Sequence, residues 1–377
     1  MAKKKANLKL MTSSALAKKY KGAGLASEVI VSHNEEIWIP SKFLKLNDTT
    51  GGGLLYGKIM ELFGEESAGK SLVAYDFSYC VQQLGGIVIW VDAEHAFSRG
   101  WGEANGLDLG KLVLFQNNAI ETISDFIADQ VMYWRSQLTD NEPILLVVDS
   151  IAALECLENI NSSQTDAKAE MGNRAKAMDK MMRIRNELLS DLGVSSIWIN
   201  QLRSKIGATK WEDPDTTPGG KAVKFYASIR LGAYGGKQIK AKIDGVEDRV
   251  GRLTSLRIKK NKIAPPKPTI KGAEVYFNTE YDKEIGFNKY FGLAELLVKK
   301  KVITRKKGAS RFYYKDNMLA NGEDALMKVL LKDDKLRKRL IRKSGVNTIN
   351  KTQKRINSIG RNLYPIQGIT FETQTDE

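Results

Sequence analysis

Short apolar runs punctuate the first two thirds of the chain: Ile59–Phe63, Ile87–Val91, Leu112–Phe115, Ile144–Val148 and Ile197–Ile199. Runs this short and this continuous predict strands buried on both faces, as in a parallel sheet covered by helices. Between them the period changes. Leu72–Leu84 reads as a helix, and Ile120–Leu138 sets Ile123, Phe126, Ile127, Val131 and Trp134 on one helical face. Ahead of the first run, Leu10–Tyr20 forms a short helix with apolar contacts at Leu10, Ala15, Leu16 and Tyr20, and Val29–Ile39 alternates like a strand. So short a helix is not stable alone and must pack on its own domain or on a neighbouring subunit. From about Tyr276 the pattern shifts to short helices and a hairpin-like stretch around Ser310–Lys315, with Leu293, Leu296, Leu297 and Val302 providing a small core. The class predicted is α/β, with a mainly parallel central sheet, an N-terminal helix and strand segment, and a small basic α+β C-terminal domain.

The first strand runs into Gly64-Glu65-Glu66-Ser67-Ala68-Gly69-Lys70-Ser71, which fits the P-loop pattern G-x-x-x-x-G-K-[ST]. Gly64 and Gly69 let the backbone fold tightly enough for its N–H groups to ring an anion, and the following helix points its positive dipole end at the same place. Lys70 is expected on the β and γ phosphates and the Ser71 hydroxyl on Mg²⁺, so ATP and Mg²⁺ are the expected cofactors. A plain glycine turn is the bland alternative, disfavoured by the strand before and the helix after. The second strand ends in Asp92-Ala93-Glu94-His95, acids at the carboxyl end of a buried strand, where open parallel sheets bind ligands. Glu94 is the candidate general base for the water that attacks the γ phosphate; otherwise it is a solvated acid. Ile144–Val148 delivers Asp149 and Ser150, the Walker B pattern that holds Mg²⁺ beside a P-loop. Ile197–Ile199 ends in Asn200-Gln201, before a polar, glycine-containing stretch from Leu202 to Gly220. Gln201 at a strand tip can touch a γ phosphate and pass its state outward, or simply cap the strand.

Composition narrows the partners. With 377 residues, 42% of them hydrophobic, the chain can bury a full core and is expected to make two folded units with a tail. A formal net charge of +15 makes a polyanion the natural partner, nucleic acid ahead of an acidic membrane surface. Cys80 and Cys156 alone support neither a disulfide scaffold nor a zinc site, and His33 and His95 alone make imidazole-based metal chemistry improbable. No apolar stretch reaches about 18 residues and the lysine-rich start leads into no signal-like segment, so no membrane association and a reducing cytoplasm are expected.

Gly64–Ser71, Asp92-Ala93-Glu94-His95-Ala96, Val147–Ser150, Ile199-Asn200-Gln201, Gly219–Ser228 and Lys259–Ala264, in this order, resemble the bacterial RecA family of homologous recombinases. The likeness runs from about Ala17 to Gly345. It implies a RecA-like P-loop ATPase that forms a helical homo-oligomeric filament on single-stranded DNA, with ATP bound between protomers, homology pairing and strand exchange. By position it implies that Glu94 activates water, that Gln201 links the γ phosphate to the second DNA-binding loop, and that Lys260 and Lys262 reach the neighbour's phosphates. Trp101 falls where the family stacks a tyrosine on adenine, a task an indole face can perform. Ser98 falls where the family usually has an aspartate near the adenine amine. The first DNA-binding loop would span about Cys156–Met171, followed by a helix carrying Lys176, in place of the family's arginine, and Arg183. The second would offer Arg203, Lys205 and Trp211 and close on Gly219-Gly220 after Pro218. The implied organisation is an oligomerisation segment (1–50), the ATPase core (51–275), a small basic domain that captures double-stranded DNA (276–345), and a basic, polar tail (346–377) where family members often carry an acidic one. A ring-forming RecA-fold helicase and a single-strand binding or annealing protein without turnover are the alternatives.

Overall fold

The computed structural model describes residues 36–138, 141–162, 167–204, 215–265, 267, 269–305, 310–359 and 362–364. The expected helix at Leu10–Tyr20 and most of the alternating segment Val29–Ile39 lie outside these residues; of the latter, Trp38–Ile39 (β1) is a strand paired with Leu54–Leu55 (β2). Helix α1 (Leu44–Thr50) lies between them, and β2 leads into β3 (Ile59–Gly64).

Each apolar run becomes a strand of one sheet: β3, β4 (Ile87–Asp92), β5 (Leu112–Phe115), β6 (Ile144–Asp149) and β7 (Ser195–Gln201). A two-residue ladder of β8 (Arg203–Ser204) and β9 (Asp215–Thr216) follows β7. The sheet then continues through β10 (Ile229–Ile243), β11 (Val246–Asn261), β12 (Ile270–Tyr276) and β13 (Gly286–Phe287) in the order β13-β12-β11-β10-β3-β7-β6-β4-β5. From β10 to β5 all neighbours are parallel, and from β10 to β13 they are antiparallel. The long β10–β11 hairpin was not foreseen from sequence, because its apolar positions are interrupted by glycines and lysines.

Two cores cover the two faces of the sheet, and strand alternation sorts the side chains between them. Val88 and Trp90 of β4 and Leu145 and Val147 of β6 face α2 (Lys70–Gln83), where they meet Val73, Phe77 and Val81. Ile89, Val91, Leu146 and Val148 face the other way, toward α4 (Ile120–Gln137) and α6 (Ala167–Asp191), and meet Ile123, Ile127, Val131, Met178 and Met182. Two short helices, α3 (Arg99–Ala104) and α5 (Leu157–Ile160), precede β5 and α6. A five-residue helix, α7 (Ala222–Tyr226), lies just before β10.

Beyond β13, helices α8 (Leu293–Lys299), α9 (Glu323–Lys332) and α10 (Asp334–Ser344) pack with a three-stranded sheet of β14 (Thr304–Arg305), β15 (Arg311–Tyr314) and β16 (Asn317–Asn321). Leu293, Leu296, Leu297, Phe312, Leu326 and Leu340 are its buried centre. Part of the segment read as a polar tail, 346–377, lies outside the described residues, and the rest behaves differently. Ile349–Ser358 form α11, and Thr352, Ile356 and Ile359, one helical stripe, are buried, the two isoleucines in the main core. Among the described residues no helix is long and apolar enough to cross a membrane.

Candidate nucleotide and DNA site

Gly64 closes β3 in register with Ala233 of β10, and a Cβ there would stand 2.0 Å from the Ala233 carbonyl oxygen. Only glycine fits that approach. The loop then turns through Ser67 (φ 55°) and Gly69 (φ 91°), both left-handed, before α2 begins at Lys70. Glu65 is tied down by accepting from the Gly235 N–H (3.1 Å), and the buried Ala68 offers its carbonyl to Thr254 Oγ1 (3.3 Å). Glu66 is exposed. Lys70 Nζ donates to the carbonyls of Gly64 (3.2 Å) and Glu65 (2.6 Å), which holds its charge at the mouth of the loop. Burial lowers its pKa, while Asp149 and Glu94 oppose the shift.

The ends of three further parallel strands meet this loop. Ser71 Oγ donates to Asp149 Oδ2 at 3.0 Å. Burial, with Glu94 and Asp92 nearby, pushes the Asp149 carboxyl up to about 6, although the Ser71 hydrogen bond works the other way. Ser150 Oγ donates to Glu94 Oε1 in a short hydrogen bond, and Gln201 Nε2 reaches the same oxygen at 3.4 Å. Asp92, in contrast, is used structurally: it accepts from the N–H groups of Ala96 and Phe97 and from Gln116 Nε2, each at 3.0 Å. Lys70, Ser71, Glu94, Asp149, Ser150 and Gln201 thus form one cluster. A hydroxyl and a carboxylate 3.0 Å apart, in a site where negative charge is costly, suit a hard dication completed by phosphate oxygens.

Beside the cluster opens a cleft of about 500 Å³ lined by Ser67, Gly69, Lys70, Ser71, Trp101, Gly236, Arg249, Arg252 and Phe277, among others. Trp101 is among the lining residues. Ser98 is the N-cap of α3, and its hydroxyl accepts from the Trp101 N–H (3.3 Å). Sequence reasoning missed Arg249, Arg252 and Phe277. They belong to β11 and to the residue after β12, and no local motif announces them; their closeness to the P-loop comes only from the pairing of the hairpin with β3.

Lys260 and Lys262 are not brought to this cluster. Lys260 is paired with Arg230, which lies beside Glu61, so it sits near the start of β3, whereas the P-loop leaves its end. Lys260 Nζ donates to the carbonyls of Lys224 (2.7 Å) and Phe225 (2.9 Å) at the end of α7, and Lys262 Nζ lies 5.8 Å from the Phe225 ring. Phe225 is 69% exposed beside them.

Within the span Cys156–Met171 expected as the first DNA-binding loop, Leu157–Ile160 form α5 and α6 starts at Ala167. Met171 is therefore on the helix rather than in the loop, and it is 72% exposed. Lys176 and Arg183 follow on the exposed side of α6. Arg203 opens the β8–β9 ladder, while Lys205 and Trp211 lie outside the described residues. Gly219 (φ 84°) and Gly220 (φ 73°) are both left-handed. A Cβ on Gly219 would meet Ile151 Cγ2 at 2.6 Å, so this glycine allows approach of the protein to itself, next to Ser150. A buried network joins the two ends of the stretch: Asn200 Nδ2 donates to the Pro218 carbonyl and to Glu61 Oε1, both at 3.1 Å, and Glu61 also accepts from Thr217 Oγ1 (3.2 Å) and pairs with Arg230.

Comparison with known proteins agrees with this geometry. The model of the RecA N-terminal domain matches residues 13–282. Among curated relatives, Protein RecA of Rhodococcus jostii (strain RHA1) is 35% identical over 313 residues, covering 82% of this chain and 84% of the relative. Protein RecA of Bacteroides thetaiotaomicron is 36% identical over 299 residues, covering 78% and 83%. Protein RecA of Tropheryma whipplei (strain Twist) is 35% identical over 296 residues, 78% of this chain and 62% of the relative. With the P-loop, its paired acids and the strand-tip glutamine assembled in one site, the chain belongs to the RecA family of DNA recombinases.

Proposed function

We propose that this recombinase binds Mg·ATP between the P-loop and the β10–β11 hairpin, polymerises on single-stranded DNA in the cytoplasm, and pairs homologous duplex DNA for strand exchange. The observation that carries the reading is the position of Glu94, which accepts hydrogen bonds from Ser150 and from Gln201 (3.4 Å) beside Lys70 and the Ser71–Asp149 pair. Lys70 binds the β and γ phosphates, with the loop N–H groups of Glu65 to Gly69 around them. Ser71 and Asp149 hold Mg²⁺, which, when bound, neutralises charge on the phosphates. Glu94 orients the attacking water and takes its proton. Trp101 supports the base.

Gln201 is the last residue of β7 and leads directly into the ladder at the base of the second DNA-binding loop, so a change at the γ phosphate has a short route to the DNA. Arg203, Lys205, Trp211, Gly219 and Gly220 serve the single strand there, with Met171, Lys176 and Arg183 on α6. Cations on phosphates and an aromatic face for bases give binding without sequence preference. Lys260 and Lys262, remote from their own P-loop, serve the phosphates of a neighbouring protomer, which makes hydrolysis depend on filament assembly.

The test is ATP hydrolysis with and without single-stranded DNA over a range of protein concentrations. Stimulation that rises cooperatively with protein is expected. DNA binding without any stimulation would replace this reading with that of a binding or annealing protein.

A further inference from the structure

The cleft beside the P-loop has a cation that the P-loop chemistry does not use. Arg252 lies on β11, and its Nη1 donates to the carbonyl of Ser67, within the P-loop, at 2.6 Å. Its Nη2 rests against Gly235, where a Cβ would fall 2.0 Å away, so the absence of a side chain at 235 is what admits the guanidinium. The neighbouring peptide is itself tied to the loop, since the Gly235 N–H donates to Glu65 (3.1 Å). Arg252 Nε is shielded and has no hydrogen-bond partner among the described residues. Ser67, Lys70 and Arg252 line the same cleft.

We propose that Arg252 is a nucleotide-binding residue, a second cation that holds the phosphate chain from the hairpin side while fixing the left-handed Ser67 peptide of the P-loop. It deepens the nucleotide reading given above and rests on it. A guanidinium offers five N–H donors in a rigid fork. One Nη1 hydrogen is spent on Ser67, which orients the plane, and with Nε shielded it is the remaining Nη hydrogens that are left for phosphate oxygens, the ligand such a fork matches best. The β10–β11 hairpin thereby becomes part of the nucleotide site, and β10 carries the matching glycine.

Gly235 provides a second way to test the residue. Its φ is not in the left-handed region, so alanine is compatible with its backbone, and the nearest atoms an added methyl meets are those of the Arg252 guanidinium, the movable end of a long side chain. Gly235→Ala should therefore displace the guanidinium while leaving the arginine in the chain. The experiment measures ATP affinity of the full chain by titration with a fluorescent ATP analogue, for wild type, Arg252→Ala, Arg252→Lys and Gly235→Ala, with thermal unfolding of each ligand-free protein as the folding check. Expected is a loss of about tenfold or more in Arg252→Ala and in Gly235→Ala, the size of a charge-assisted hydrogen bond, with Arg252→Lys in between. Wild-type affinity in either Arg252→Ala or Gly235→Ala overturns the proposal. A wild-type protein that binds no ATP would instead remove the nucleotide reading on which it stands.

Discussion

Asp149 shows how a single residue is held in an unfavourable state that function needs. Desolvation is the largest cause of its raised pKa, followed in the same direction by the charges of Glu94 and Asp92, and the carboxyl ends near 6 against an ordinary 3.8. A folded-state value above the unfolded one contributes stability below the ordinary value and loses it as pH climbs through about 6. At neutral pH the charged carboxylate is therefore a cost to the ligand-free fold. Asp149→Asn should raise the stability of the ligand-free protein by about 1–2 kcal/mol near pH 7.5, with the gain fading toward about pH 4, while Mg²⁺-dependent ATP turnover is lost. Denaturant unfolding at the two pH values, beside an ATPase assay, checks both halves. Asp149 was legible in the sequence because an apolar run delivers it, and the same is true of Glu94 and Gln201 at the tips of β4 and β7. Lys70 and Ser71 were legible from the loop spacing. Arg249, Arg252 and Phe277 were not, since their place in the cleft depends on strand pairing between segments more than 180 residues apart in chain, as Arg252 and Ser67 are.

Among the elements, the one least visible in the sequence is α11. Its composition is basic and polar, so the segment reads as a solvated tail; only the stripe Thr352, Ile356, Ile359 marks a buried face. The segment binds the fold at several points. Asn347 Nδ2 donates to the carbonyls of Trp38 (3.1 Å) and Gly52 (2.8 Å), and Thr352 Oγ1 donates to that of Trp38 (2.7 Å). Past the helix, the Leu363 N–H donates to Asn141 Oδ1 (2.7 Å), and the Tyr364 ring packs on Gly193, where a Cβ would come within 2.4 Å of it. The buried Arg135 guanidinium lies 5.4 Å from the same ring and donates to the carbonyls of Leu192 (2.9 Å) and Glu142 (3.0 Å). These contacts tie residues 346–359 and 362–364 to the core. Ile356→Ala should cost about 2–5 kcal/mol of unfolding free energy, the usual range for a buried isoleucine, whereas the exposed Lys354→Ala on the same helix should cost no more than about 0.5. Equal, small effects in urea unfolding would return α11 to the status of a tail. Strands β3 to β6, by comparison, were legible almost to the residue, because continuous apolar runs of strand length leave few other solutions in an α/β chain.

On the scale of the whole molecule, the surplus of positive charge is divided between structure and surface. Lys267, Lys299 and Lys300 converge on the buried Asp48 at 3.1, 3.7 and 2.9 Å, and the last two tie the end of α8 to α1. Burial pushes the Asp48 carboxyl up, but the Lys300 and Lys267 hydrogen bonds outweigh it and hold the pKa below its ordinary value. Part of the basic charge of the 276–345 segment, expected to attract duplex DNA, is thus an internal clamp, a distinction that charge counting cannot make. On α10, Arg337 and Lys338 similarly pair with Asp334. The arrangement of the remaining parts is directional: the P-loop cluster and the segments proposed to bind DNA follow the carboxyl ends of β3, β4, β6 and β7, while Lys260 and Lys262 lie toward the start of β3. One protomer therefore offers its phosphate-binding end and its lysine end at different places, which suits head-to-tail assembly. The most direct test is joint-molecule formation between circular single-stranded DNA and homologous linear duplex, with ATP and Mg²⁺. Joint molecules that require homology are expected from the wild type and are lost in Lys70→Ala, which cannot hold the nucleotide. DNA-stimulated ATP hydrolysis without any homology-dependent joint molecule would contradict the recombinase mechanism proposed here and point to a translocating motor.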